Sequence, residues 1–244
     1  MVDKDWPDYS VTFGQESRAG VSEMRINLSG IVDLSTIDWF GKSAMVIFLR
    51  GCPMKCPHCH NEIFKTGVNL VKDTNITARM TLASQFVDHV VISGGEPSIQ
   101  VEACRYIIEQ AHGMSMKVAI ETCGSSKLVD GFDAVFLSIK TSLSRPAYKA
   151  LGGHDQVFDN IMSNLAKMHP GRSEIRLTLF ADSVFDFSTF GPLQGFPIRV
   201  TLGIGIGCQT TEKRLNEFCN DLAQAMNYEI VENGNLRVRL RPKK

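Results

Sequence analysis

No sign of charge dominates this chain. It has 26 Lys and Arg against 26 Asp and Glu, for a formal net charge of zero. That balance gives no support to long-range attraction toward nucleic acid or an anionic membrane, so neither is expected as a partner. The closing RLRPKK (239–244) reads as a solvated tail. No stretch approaches the roughly 18 consecutive apolar residues of a membrane span. The opening MVDKDWPDYS is polar and lacks the apolar core of a secretory signal. These absences lead to the expectation of a cytoplasmic protein. Cysteine is also scarce, with 7 in 244 residues, an odd count that suits a disulfide framework poorly. In a reducing compartment, close cysteine spacing points to metal or catalysis instead. There is no low-complexity segment, internal repeat or clear linker.

What is present is enough apolar sequence, 43%, for a substantial core, in a length typical of an α/β barrel. Residues 1–25 are polar and aperiodic, and read as an N-terminal extension. Within 26–205, MVIFLR (45–50), HVVIS (89–93), KVAIE (117–121), AVFLSIK (134–140), EIRLTLF (174–180) and PIRVTL (197–202) read as strands. Residues 100–111 and 156–168 carry apolar residues at helical spacing. Strands alternating with helices predict a mostly parallel sheet whose right-handed crossovers curl it into a partial (βα)6 TIM-like barrel. Residues 206–244 are expected to add a helix around 211–226 and a hairpin turning at Asn233-Gly234, packed on the core.

Three of the cysteines crowd into GCPMKCPHCHN (51–61), where Cys52, Cys56 and Cys59 form C-x3-C-x2-C directly after the first barrel strand. Loops at the C-terminal ends of strands carry the chemistry of α/β barrels. A zinc site completed by His58 or His60 and an iron–sulfur cluster both fit the motif taken alone. One βα unit later comes GGEP, Gly94, Gly95, Glu96 and Pro97, where absent Cβ atoms permit close backbone approach. Its plain structural reading is a strand-to-helix turn.

The pairing of C-x3-C-x2-C with GGEP resembles the radical S-adenosylmethionine (radical SAM) superfamily. The resemblance implies a [4Fe–4S] cluster held by Cys52, Cys56 and Cys59, with SAM on the open iron. It also implies that Gly94, Gly95 and Glu96 hold the methionine amino end of SAM, largely through backbone groups. Residues 30–64, with the Ser-Thr-x-Asp-aromatic lead at 35–39 and His60-Asn61 after the third cysteine, are similar to activating enzymes of glycyl-radical enzymes. The nearest branch is the anaerobic ribonucleotide reductase activators. Such an enzyme would take that reductase as partner and flavodoxin or ferredoxin as reductant. Downstream, IETCGS (120–125) and LSIK (137–140) put Glu121 and Ser138 where those activases tend to have aspartates, and Cys123 where they have asparagine. In them this region contacts SAM and can hold a monovalent cation.

Strand alternation turns Ser138, Lys140, Arg176 and Thr178 toward the barrel interior. Burying Lys140 and Arg176 requires anions. The SAM carboxylate is one candidate, and a salt bridge to Glu121 or Glu174 the other. Glu121, Ser138, Lys140 and Arg176 thus join the GGE residues as the expected SAM-binding set. Cys104 reads as core, Cys208 and Cys219 as unrelated to any second cluster, and His58 as packing on the cluster. Tyr148, Gly152 and Asp155 are placed on the SAM or substrate side without a role. Two alternatives stand beside the activase: a radical SAM enzyme acting on a small molecule, similar to 7-carboxy-7-deazaguanine synthase, and a zinc-stabilised binding module.

Overall fold

The computed structural model describes residues 24–203, 210–234 and 236–243. Most of the expected N-terminal extension, and Cys208, lie outside them. In chain order come β1 (Arg25–Ser35), β2 (Ala44–Leu49), β3 (Leu70–Lys72), α1 (Asp73–Ala83), β4 (His89–Gly94) and α2 (Val101–Gly113). They are followed by β5 (Lys117–Thr122), β6 (Ala134–Ile139), α3 (Arg145–Ala150), α4 (Asp155–Lys167) and β7 (Ser173–Leu179). The chain finishes with β8 (Ile198–Leu202), α5 (Glu212–Met226), β9 (Tyr228–Gly234) and β10 (Arg237–Pro242).

One sheet runs β3-β1-β2-β4-β5-β6-β7-β8-β10-β9. The pairs from β2 through β8 are parallel, so the six expected strands form the partial barrel. β1 and β10 add antiparallel strands at its two ends. The hairpin forms, but Gly234 pairs with Arg237, so Asn233 and Gly234 stand in the strand rather than at the turn. Pairing of Val238 with Val200 and Leu240 with Ile198 places the buried β10 residues against β8, and that fixes the register two residues later.

Alternation along the strands sorts the core. Met45, Ile47, Val90, Ile92, Val118 and Ile120 face outward onto α1 and α2. Leu137, Ile139, Ile175 and Leu177 face outward onto α4 and α5. The opposite parity, Ala44, Val46, Val91, Ala119, Ala134 and Phe136, fills the inside. Most of these are small, which leaves room for Trp39, whose ring meets His89 at 4.6 Å and Phe136 at 5.5 Å.

Trp39 belongs to the connection between β1 and β2, which crosses the seam between the two ends of the open barrel. Arg176 Nη2 on β7 donates to the Asp38 carbonyl at 2.5 Å, and Arg199 Nη1 on β8 to that of Ile37 at 3.3 Å. The Arg239 guanidinium on β10 lies 3.8 Å from the Phe40 ring centroid. Three arginines on the far strands thus strap the near edge across the barrel's N-terminal end.

At the other end of the sheet, Gln100 takes the place of a strand neighbour. Its Nε2 donates to the Asn27 and Arg50 carbonyls, both at 2.8 Å, and its Oε1 accepts from Asn27 N at 3.1 Å. Gln100→Ala takes the partner from Asn27 N and from the Arg50 carbonyl, while the Asn27 carbonyl keeps Arg50 N at 2.8 Å, at a cost of about 1–3 kcal/mol. A urea unfolding curve should show a lower midpoint at unchanged slope. An unaltered midpoint would show that the amide carries nothing.

Candidate active site

The cysteine loop leaves β2 at Arg50 and is fixed from several sides. Gly51 N donates to the Phe64 carbonyl at 2.8 Å, and Lys55 N to that of Leu151 at 2.9 Å. The latter bond is what the stretch around Gly152 contributes. Arg50 Nη1 donates to the carbonyls of Ile63 at 2.9 Å and Thr66 at 2.7 Å. Cys52, Cys56 and Cys59 are partly exposed free thiols lining one cavity of about 780 Å³ at the C-terminal end of the parallel strands.

GGEP docks directly against this loop. Gly95 N donates to the Leu49 carbonyl at 3.0 Å, and Glu96 N to the Gly51 carbonyl at 2.7 Å. A Cβ on Gly95 would stand 2.3 Å from the Gly51 oxygen, and one on Gly94, at φ +135°, 2.0 Å from the Leu49 oxygen. The glycines are therefore required by loop-on-loop packing. The N–H groups of Gly95 and Glu96 are engaged inside the protein.

The side chain of Glu96 has partners of its own inside the protein. Its fully buried carboxylate accepts from Ser98 N at 3.0 Å, Ser98 Oγ at 2.6 Å, Thr122 Oγ1 at 2.5 Å and Cys123 N at 2.7 Å. It braces the GGEP turn against the end of β5 and faces away from the cavity. Asn61, singled out in sequence only as part of a resemblance, donates its amide to the Gly94 carbonyl at 3.0 Å, tying the cysteine loop to GGEP.

Gly94, Gly95, Glu121, Ser138 and Lys140 all reach the cavity wall. Lys140 was expected to be buried. It is exposed at the mouth, where its charge remains hydrated and needs no anion. Arg176 is buried and turned from the cavity: its Nη1 lies 2.7 Å from Glu121 Oε2 and its Nε 3.2 Å from Glu174 Oε1. The salt-bridge alternative describes it, because a buried guanidinium between two carboxylates is already neutralised. Burial opposes the Glu121 charge, but Arg176 outweighs it and holds the carboxyl below the usual range.

The histidines of the motif pack on Phe180 beyond β7, His58 at 4.8 Å and His60 at 5.4 Å between centroids. His58 Nε2 also meets Asp182 at 2.8 Å. Among the described residues, no group of three or more His, Cys, Asp or Glu stands at metal-holding spacing. The donor set fits an iron–sulfur cluster by its chemistry, with three soft thiols converging on one cavity. Burial pushes the Cys52 thiol up to about 11 and raises Cys56, against the pull of Lys140 and Lys65. A bound metal reverses this by stabilising the thiolates. Cys123, also on the wall, is held protonated by burial and by Glu96. The buried Cys104 thiol donates to the Pro97 carbonyl at 3.4 Å, and Cys219 lies on the buried face of α5.

Comparison with known proteins supplies relatives for this geometry. The chain is 43% identical over 106 residues to a Methanocaldococcus jannaschii protein provisionally named a glycyl-radical enzyme activating enzyme, covering 42% of each. It is 33% identical over 95 residues to the 7-carboxy-7-deazaguanine synthase of Nitratidesulfovibrio vulgaris, covering 35% of this chain and 43% of that one. The chain thus spans less than half the length of either. The fold is similar to TYW1 with a lysine-pyruvate adduct bound, with a TM-score of 0.62, 12% identity, and coverage of 81% and 79% of the two chains. The family described as Radical SAM superfamily matches residues 46–179, over half the sequence and the stretch that holds the cysteine loop, GGEP and five of the six parallel strands. The chain belongs to the radical SAM superfamily.

Proposed function

We propose that this chain reductively cleaves SAM and uses the resulting radical on a small molecule held in the cavity. The observation that carries the first part is the meeting of Cys52, Cys56 and Cys59 with the GGEP turn on one cavity wall. Three thiolates hold a [4Fe–4S] cluster and leave one iron open. When bound, that cluster supplies the electron that splits SAM into methionine and a 5′-deoxyadenosyl radical. Lys140 at the mouth is the cation available to the SAM carboxylate. Glu121 and Ser138 are the polar groups deeper on the wall, and Gly94 and Gly95 hold the cysteine loop in place.

A small molecule is favoured over a protein loop because the strap at Ile37–Phe40 gives the cavity a floor, with Ile37 and Asp38 on its wall. Glu121 and Ser138 also depart from the activase pattern. The relative named 7-carboxy-7-deazaguanine synthase is consistent with this choice. The second reading, activation of a glycyl-radical enzyme such as anaerobic ribonucleotide reductase, rests on the higher identity to the provisionally named activase. Either takes a low-potential one-electron donor of the flavodoxin or ferredoxin kind. No helix among the described residues is long and apolar enough to cross a membrane.

The test is an anaerobic incubation with SAM and reductant, to which a protein-free metabolite filtrate or the purified reductase is added separately. The filtrate should raise 5′-deoxyadenosine formation, and the reductase should leave no glycyl-radical signal in electron paramagnetic resonance. A glycyl signal would replace the small-molecule reading with the activase.

A further inference from the structure

The turn that follows the cysteine loop is pinned along its length. Arg50 Nη1 holds the carbonyls of Ile63 and Thr66, and Gly51 N holds that of Phe64. Lys65 N donates to the Glu62 carbonyl at 3.1 Å. Lys65 therefore stands on fixed backbone, and its side chain turns back onto the cysteine loop. Its Nζ donates to the Cys56 carbonyl at 3.4 Å and meets Glu62 Oε2 at 2.6 Å.

Lys65 and Lys140 both line the cavity with Cys52, Cys56 and Cys59. Lys140 is exposed, so water weakens the reach of its charge. The Lys65 side chain is only 9% exposed. A buried ammonium costs free energy unless anions meet it. Glu62 is one such anion, but it is 69% exposed and hydrated, and such a carboxylate pairs weakly. The others are the cysteines. Burial opposes the Lys65 charge, but Glu62, Cys59 and Cys56 outweigh it and hold the ammonium above its usual range.

We propose that the buried Lys65 ammonium sets the reduction potential of the cluster that Cys52, Cys56 and Cys59 would hold, by favouring its reduced form. One electron from the flavodoxin- or ferredoxin-type donor adds one negative charge to a centre that three thiolates already make anionic. Net charge and the groups around the sulfurs are the means by which a protein tunes such a potential. A cation in a desolvated wall acts on the added charge more strongly than one in water. Without Lys65 the cluster should be harder to reduce. This rests on the SAM-cleavage reading above and gives it a residue for the electron-entry step.

The test is a redox titration of the full chain, reconstituted anaerobically with iron and sulfide. Dithionite and mediator dyes step the potential in the absence of SAM, and electron paramagnetic resonance reads the reduced cluster. At a fixed potential, Lys65→Met should lower the ratio of reduced to oxidised cluster at least tenfold, a midpoint about 59 mV or more lower for one electron. Lys65→Arg keeps the charge and should recover most of that ratio. Lys65→Gln keeps a donor for the Cys56 carbonyl without the charge. It should fall with Lys65→Met, and it carries the comparison if the methionine variant assembles no cluster. SAM affinity, by equilibrium dialysis, should be unchanged in all three. An unshifted midpoint in the neutral variants overturns the inference. So does a wild-type midpoint in Lys65→Gln alone, which would assign the effect to the carbonyl bond. Lost SAM affinity at an unshifted midpoint overturns it too, by making Lys65 a SAM ligand. A wild-type chain that takes up no sulfide would remove the proposed function and the inference with it; one that is reduced but cleaves no SAM would remove the first alone.

Discussion

Gly95→Ala is expected to yield a chain that binds neither iron nor SAM. The new methyl group would stand 2.3 Å from the Gly51 carbonyl oxygen, 2.9 Å from its carbon and 3.0 Å from the Phe64 oxygen. All three atoms are backbone, so no side-chain rotation relieves the clash. Overpacking of this kind costs about 1–3 kcal/mol even where neighbours can shift. Here the atoms that shift belong to the residue before Cys52, and the bond from Glu96 N to the Gly51 carbonyl is lost with them. Iron content after anaerobic reconstitution and SAM binding by equilibrium dialysis should fall together. Cys104→Ala, in a buried position behind GGEP, should leave iron content unchanged. Full iron content with SAM binding alone abolished would return Gly95 to direct ligand contact.

Glu174→Leu should be the most destabilising of the substitutions considered. Glu174 is buried and lies within 3.2 Å of Arg176, 3.0 Å of Arg199 and 3.1 Å of Arg239. Arg199 is under strain already: its Nε and Nη2 have no aligned hydrogen-bond partner, and burial with Arg176 nearby pushes its pKa down to about 10. Removing the shared carboxylate leaves Arg176 with Glu121 and takes the carboxylate partner from Arg199 and Arg239. Breaking one buried pair costs about 3–5 kcal/mol. For a domain this large that is a fall in Tm of roughly 6–20 °C. Calorimetry measures it, and a shift of under about 2 °C would mean that water already solvates the cluster.

The Glu121–Arg176 pair adds a pH dependence of defined sign. The folded-state pKa of Glu121 is lowered. Its contribution is therefore complete above the ordinary carboxylate value of about 4.3 and is lost as pH falls through the lowered folded value.

Sequence reading located the six parallel strands because each is a short β-branched run bounded by Gly, Asp or Ser, and burial on both faces leaves that signature. It passed over β1, where Gly30 and Asp33 interrupt the pattern, and α1, where Ile76, Met80 and Ala83 are the buried apolar residues of a Thr-rich stretch. The chemistry-bearing cysteines were legible from spacing alone. The role of the Glu96 side chain was not, because alternation tells which face a residue takes and not which partner meets it there; for Arg176 the sequence left the SAM carboxylate and a salt bridge to Glu121 or Glu174 open. Arg176 faces inward as expected, and Glu121 and Glu174 are the partners it meets. Asn61 and Gln100 make side-chain bonds to backbone from distant parts of the chain, and no local pattern announces those.

The central claim is that Cys52, Cys56 and Cys59 together hold the cluster that makes this cavity a site of SAM cleavage. The measurement is iron and acid-labile sulfide per chain, with 5′-deoxyadenosine production, in the anaerobically reconstituted protein and its Cys52→Ala/Cys56→Ala/Cys59→Ala variant. The intact chain should hold about four irons and four sulfides, the composition of a [4Fe–4S] cluster, and release 5′-deoxyadenosine on reduction, while the variant does neither. A variant that still assembles the cluster, or an intact chain that takes up zinc and no sulfide, would contradict the account.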